Sequence, residues 1–255
     1  MKNKDLPDII QAVGLACVPV ADMPASEPAL GRRPVAAAVI RLHAQADGHR
    51  EVIATLVSDA RDTEFPISWL IDQALVAGVP TIISAEDRTT LSVDAMARRF
   101  WAEPRLASVC TGANTIDPRA LFGGVVGDEL ALYRRLKIPT SQVPDTEVER
   151  MWSRHRPEPA MDIALGISAS RLMLWAHSAA FVGGEPDAFY ETLLPLRDWM
   201  VDEEARSPSL HRAGRSKPIT RATSFASDYL NYRAARDAGD EKATWAEFED
   251  GLFHT

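Results

Sequence analysis

Two runs rich in β-branched and small apolar residues, Arg32 to Ala44 (RRPVAAAVIRLHA) and Arg50 to Asp59 (REVIATLVSD), are separated by a short polar connection containing Asp47-Gly48. Asp-Gly suits the tight turn between antiparallel strands, so this stretch reads as a β-hairpin. A hairpin has apolar faces to bury, and the next segment supplies cover. In FPISWLIDQALVAG (65–78), Ile67, Leu70, Ile71, Ala74 and Leu75 fall at helical spacing, and the run stops at Gly78. VPTIISAE then returns to a short buried strand, and LSVDAMARRFWAE (91–103) reads as another helix. Strands alternating with crossing helices predict an α/β fold, a mixed sheet with helices packed against it. CVPVADMP (17–24) reads as the opening strand, with Cys17, Pro19 and Ala21 pointing inward.

The second half reads as helical. DELALYRRLKI (128–138) ends at Pro139, and TEVERMWSRH (146–155) opens with Thr146 and Glu149 at capping-box spacing. A long helix is expected over 160–184, with Met161, Leu165, Ala169, Leu172, Ala176 and Ala179 on one face and a stop at Gly183-Gly184. Helices over 188–200 and 224–239 follow, with residues 202–222 between them read as a linker or extended arm. The expected division is a domain over 1–201 and a basic arm with a C-terminal helix over 202–255.

With 46% hydrophobic and 25% charged residues in 255, the chain can bury a full core. Cys17 and Cys110 are far apart, with no zinc-type spacing, and read as reduced thiols in a cytoplasmic protein. No apolar run approaches the ~18 residues of a membrane span, and Asp5, Pro7 and Asp8 interrupt the start, so neither a signal peptide nor a membrane partner is expected. A net charge of −8 argues against coating nucleic acid over the whole surface, yet leaves room for a local basic groove. Arg206, His211, Arg212, Arg215, Lys217 and Arg221, in a stretch without acids, are the concentrated candidate.

The common phosphate-loop, dinucleotide, serine-hydrolase and zinc-protease motifs do not occur. The six histidines are scattered, and His177 reads as packed beside Trp175. FVGGEPD follows one helix and precedes another, the setting of a helix C-cap. Asp59, Asp62 and Glu64 read as a solvated loop and helix N-terminus.

The order of segments carries more information than any single motif. GDELALYRRLKIPTSQVPDTEVERMW, a long helix, then FYETLLPLRDWM, resembles the C-terminal half of the predicted PolB-like 3'-5' exonucleases, a branch of the DEDD superfamily with an RNase H-like fold. Upstream, ISWLIDQALVAGVPTIISAEDRTTLSVDAMARRF and VPVADMP are similar to that family's helix, strands and acidic motifs, so the likeness spans roughly residues 15 to 200. The resemblance implies an RNase H-like mixed sheet of about five strands, drawn mostly from residues 13 to 115 and flanked by helices that include 160–182, with a C-terminal helical extension. It also implies four carboxylates holding two divalent metals about 4 Å apart. Those four positions fall on Pro19, Ala21, Thr90 and Ser168.

Neighbouring acids do not restore the set. Asp22 points to the opposite face of a strand from Ala21, Asp94 lies one helical turn beyond Thr90, and Asp162 lies about 9 Å before Ser168. The expectation is therefore a catalytically inactive exonuclease-like protein without a metal or other cofactor, which binds nucleic acid, possible single strands included, or serves as a scaffold for a nucleic-acid-processing partner. Arg206, Arg212, Arg215, Lys217 and Arg221 are the expected nucleic-acid contacts. Two alternatives stay open: an active exonuclease using Mg²⁺ or Mn²⁺ through relocated acids, and a structural subunit whose former cleft is a protein or self-association interface.

Overall fold

The computed structural model describes residues 6–20, 31–46, 49–59, 67–97, 104–122, 129–153, 156–182, 186–203 and 206–238. Its five-stranded sheet has the order β3-β2-β1-β4-β5, from β1 (Ile9–Pro19), β2 (Arg32–Ala44), β3 (Arg50–Ser58), β4 (Thr81–Ile82) and β5 (Thr115–Ile116). The expected hairpin is β2 and β3, paired antiparallel from Ala36–Ser58 to Ala44–Arg50; its Asp47-Gly48 turn lies outside the described residues. β1 pairs antiparallel with β2 and parallel with β4, and β4 runs parallel to β5, so the sheet is mixed as expected.

The first strand starts eight residues before the position read from the sequence. It runs from Ile9 and ends at Pro19, and Ala21 and Asp22 fall outside the described residues. Gln11, a polar residue, lies fully buried inside this strand. Its amide is nonetheless satisfied inside the protein: it donates to the Val76 carbonyl and the Thr81 hydroxyl, and its oxygen accepts from Val76 N. Those bonds join β1 to the connection leading into β4.

Both faces of β1 are covered, and its alternating side chains divide into two cores. Ile10, Ala12, Ala16 and Val18, with Ala36, Ala38, Ile40 and Leu42 of β2, pack into the cluster that contains α6 (Pro157–Phe181) and α7 (Pro186–Glu203). Val13, Leu15 and Cys17, with Ala37 and Val39, pack against α1 (Ile67–Ala74), α2 (Ala85–Ala97) and α3 (Pro104–Cys110). The two-residue period of a pleated strand accounts for this division. α1 ends before Gly78, whose φ of +75° suits glycine. α2 begins six residues before the expected helix, because the Ser84 hydroxyl accepts from Asp87 N and caps it there.

α4 (Glu129–Leu136) and α5 (Asp145–Trp152) lead into α6. The capping box expected from Thr146 and Glu149 does not form; α5 starts a residue earlier, behind Pro144, with no side-chain cap. α6 is buried nearly all round between Ile163 and Ser178. It lies so close to the sheet that a Cβ on Gly14 would sit 2.2 Å from the Ala164 carbonyl oxygen. The Gly183-Gly184 stop lies outside the described residues.

Residues 206–224 do not run as an extended arm. They form α8 (Pro208–Gly214) and α9 (Lys217–Ser224), followed by α10 (Ala226–Asp237). Leu210, Ala213, Ile219, Ala222 and Tyr229 sit in the same core cluster as α6 and α7. Burying those apolar residues outweighs the polar composition that suggested a linker. Tyr229 stacks on Tyr190 at 4.3 Å, and Arg236 pairs with Asp187.

Candidate functional site

β1, β4 and β5 are parallel, so their carboxyl ends open on the same side of the sheet. Open sheets with parallel strands commonly place ligand sites there. A cleft of about 800 Å³ occupies that side, bounded by Pro19 after β1, Ser84 after β4, Arg119 after β5 and Arg171 on α6.

The wall of the cleft is a continuous chain of ion pairs. Arg171 forms a two-pronged pair with Glu129, Nε to Oε1 at 3.0 Å and Nη2 to Oε2 at 3.2 Å. Its Nη1 reaches Asp87 Oδ2 at 2.8 Å and donates to the Val13 carbonyl of β1. Asp87 continues the chain, its Oδ1 lying 3.4 Å from Arg32 Nη1. Arg32 in turn grips Asp145 with Nε at 2.7 Å and Nη2 at 3.2 Å, and reaches Glu86 at 2.8 Å. Two guanidiniums thus serve four carboxylates. A third, Arg119, is held by both oxygens of Asp117, and Asp117 Oδ2 also accepts from Ala85 N at the start of α2.

Arg171 is 1% exposed, which makes it the largest fully buried side chain among the described residues. Burial opposes its charge, and Glu129 and Asp87 outweigh that, holding the guanidinium well above its ordinary value. Burial likewise works to raise the Glu129 carboxyl, but Arg171 and the Tyr133 hydroxyl that donates to it leave it below the ordinary carboxylate range. Beside the cleft, burial pushes the Cys17 thiol up, so it stays protonated and a weak nucleophile.

The positions read from the sequence fare unevenly. Pro19 borders the cleft, and Ala21 lies outside the described residues. Thr90 is buried on α2, one turn beyond Asp87, and it is Asp87 that lines the cleft. Ser168 is buried one turn before Arg171 and turns to the sheet: its hydroxyl donates to the Ala38 carbonyl at 2.8 Å, beside Gly14. The small residues of this part of α6 allow its close packing on β1. Asp162 anchors α8 by accepting from the Ser207 hydroxyl and from Ser209 N and Oγ. Asp94 is buried on α2.

Sequence reasoning missed Arg32, Asp87, Glu129, Asp145 and Arg171. Only Asp87 carried a readable signal, the Ser84–Asp87 spacing of a helix start. Among the described residues, no group of three or more His, Cys, Asp and Glu is arranged to hold a metal ion.

The basic residues of 206–221 separate into two kinds. Arg206 pairs with Glu203 at 3.3 Å, and Arg212 donates to the Ser209 hydroxyl at 3.2 Å. Arg215 and Lys217 are exposed at the turn between α8 and α9, and Arg221 lies one turn further along α9. His177 is packed as expected: its Nδ1 bonds the Met173 carbonyl at 2.9 Å, and its ring meets Phe189 edge-on at 5.0 Å. Asp59 pairs with Arg33 at 2.9 Å, while Asp62 and Glu64 lie outside the described residues. No helix among the described residues is long and apolar enough to cross a membrane. No protein-family model, curated protein or solved structure matches the chain.

Proposed function

We propose that this chain is a catalytically inactive 3'-5' exonuclease-like domain with an RNase H-like fold, which binds nucleic acid without cutting it. The observation that carries the reading is the guanidinium of Arg171, buried at the carboxyl side of the sheet and bonded to both Glu129 and Asp87. A two-metal hydrolase needs carboxylates free to coordinate cations on either side of a phosphodiester. Here a fixed organic cation takes up oxygens of two buried acids. The mixed five-stranded sheet flanked by helices, and the cleft beside Pro19, agree with the resemblance.

The competing reading, an active enzyme with relocated ligands, rests on Asp87 and Glu129 as replacement acids. One assay separates the two. Purified protein is incubated with labelled single- and double-stranded oligonucleotides in Mg²⁺ or Mn²⁺. The expected outcome is intact substrate together with measurable binding. Turnover that co-purifies with the protein and disappears in Asp87→Asn and Glu129→Gln would establish the enzyme instead.

The cleft is a poor place to hold phosphate, because its network has more carboxylates than guanidiniums. Binding on this reading falls to another surface.

A further inference from the structure

Two segments of this acidic chain lack any Asp or Glu: residues 130–144, with Arg134, Arg135 and Lys137, and residues 206–227, with Arg206, Arg212, Arg215, Lys217 and Arg221. They hold eight of the 28 lysines and arginines, and the fold joins them. The Ser141 hydroxyl donates to that of Ser209 at 2.8 Å across α6. Both pass over Gly166, where a Cβ would sit 2.1 Å from Ser141 Oγ and 2.8 Å from Ser209 Cβ. Ser170 ties the first segment down further by donating to the Pro139 carbonyl at 2.6 Å. The junction is thus a packed part of the fold, fixed by a glycine and three serines.

This junction brings like charges together. Pro139, two residues after Lys137, is held by Ser170 of α6, and Ser216, directly before Lys217, reaches Met173 Sδ at 3.7 Å one turn along that helix, while Arg221 stands one turn beyond Lys217 on α9. Lys137 first, and Arg221 after it, hold the Lys217 ammonium below its ordinary value. Lysine and arginine at i and i+4 repel one another on a helix. Lys137 also occupies a left-handed backbone position, φ 55°, directly after α4, where glycine is the usual residue. A non-glycine residue there is strained, and such strain concentrates at binding sites. Arg134, Arg135 and Arg215 are exposed alongside.

We propose that Lys137 and Lys217, flanked by Arg215 and Arg221, form a surface that binds the phosphodiester backbone of a nucleic acid without regard to base sequence. The inference rests on the nucleic-acid-binding reading above and gives it a location away from the cleft. A phosphate placed between the two ammonium groups turns their repulsion into attraction. Cations that meet only phosphates position a strand without reading it.

The test is a titration of fluorescein-labelled oligothymidine at several salt concentrations, with the intact chain, Lys137→Gln/Lys217→Gln and Arg33→Gln/Arg150→Gln. The intact chain is expected to bind with strong salt dependence. The lysine variant should bind severalfold more weakly near 50 mM salt, with a log–log salt slope shallower by about 0.7 for each cation removed. The arginine variant, which removes the same number of cations but ones paired with Asp59 and Glu147, should follow the intact chain. Equal affinity and slope for the intact chain and the lysine variant would overturn the location while leaving nucleic-acid binding standing. No binding by the intact chain would overturn both. Displacement of the oligonucleotide by tripolyphosphate at equal phosphate concentration would show a small-polyphosphate site and overturn the nucleic-acid assignment.

Discussion

The cleft and the basic face share α4 and α6, yet they treat charge in opposite ways. In the cleft, Arg171 and Glu129 are buried and face each other in a two-pronged pair, so each charge is offset by a partner at hydrogen-bond distance. On the basic face, Lys137 and Lys217 are exposed and of the same sign, and α8, α9 and the segment after α4 contain no acid. Buried charges without partners are intolerable, while exposed ones of the same sign cost little. The difference separates a region that maintains the fold from one free to serve binding, and substitutions in the two should behave differently.

The largest effect is expected at Arg171. Arg171→Met leaves Glu129 and Asp87 buried without their shared cation, and breaking a buried pair on one side costs about 3–5 kcal/mol. Urea denaturation followed by circular dichroism should show that loss. Combining Arg171→Met with Glu129→Gln and Asp87→Asn should recover much of it, because no uncompensated charge remains. A triple variant as unstable as the single one would mean that packing of the arginine stem, rather than charge, holds the region together.

A smaller effect comes from a group buried by staying neutral. Burial brings the His177 value down to about 4 from an ordinary 6.5. The unfolded chain then binds the proton more readily, so stability is full above pH 6.5 and falls as the pH drops towards 4, by about 3 kcal/mol in total. Glu129 has the opposite arrangement: its pair contributes above 4.5 and is lost only as the pH falls through its lowered value. Stability measured from pH 7 to 4 should therefore decline in the intact chain and stay nearly level in His177→Phe. An equal decline in both would assign the pH dependence to other groups.

Gly166 links the two regions. Gly166→Ala places a methyl against Ser141 and Ser209, an overpacking that costs about 1–3 kcal/mol. It should also weaken oligonucleotide binding, because it spreads the two basic segments while leaving every cation in place. Destabilisation with unchanged binding would show that the surface does not depend on this junction.

How far these regions were legible in the sequence follows the same division between local and distant contacts. The hairpin and α6 were readable because β-branched alternation, an Asp-Gly turn and a long apolar repeat are local signals. α3 went unread because it has only seven residues, and β1 was read too late because the partners of Gln11 lie 65 and 70 residues away. In the cleft, the sequence pointed to Thr90 and Ser168, and the side chains that meet are one helical turn from each, at Asp87 and Arg171. A likeness of segment order does not fix which face of a helix turns inward. The five basic residues near the C-terminus were visible as a cluster, but Lys137, 80 positions before Lys217, becomes their neighbour only through the serine contacts over Gly166.

The smallest effect should carry the opposite sign to all the others. Lys137→Gln removes a repulsion with Lys217 and no ion pair within the acid-free segments, so the thermal midpoint should rise slightly at low salt. The gain should fade as salt is added, since screening shortens from about 10 Å at 0.1 M to about 3 Å at 1 M. The same substitution should reduce oligonucleotide binding. A variant that is more stable yet binds less marks a residue kept for its ligand, whereas a residue kept for the fold loses stability when changed. Differential scanning calorimetry across a salt series distinguishes the two. A lower midpoint for Lys137→Gln, insensitive to salt, would make Lys137 part of the structural framework, like Arg171, and would remove the contrast between the face and the cleft.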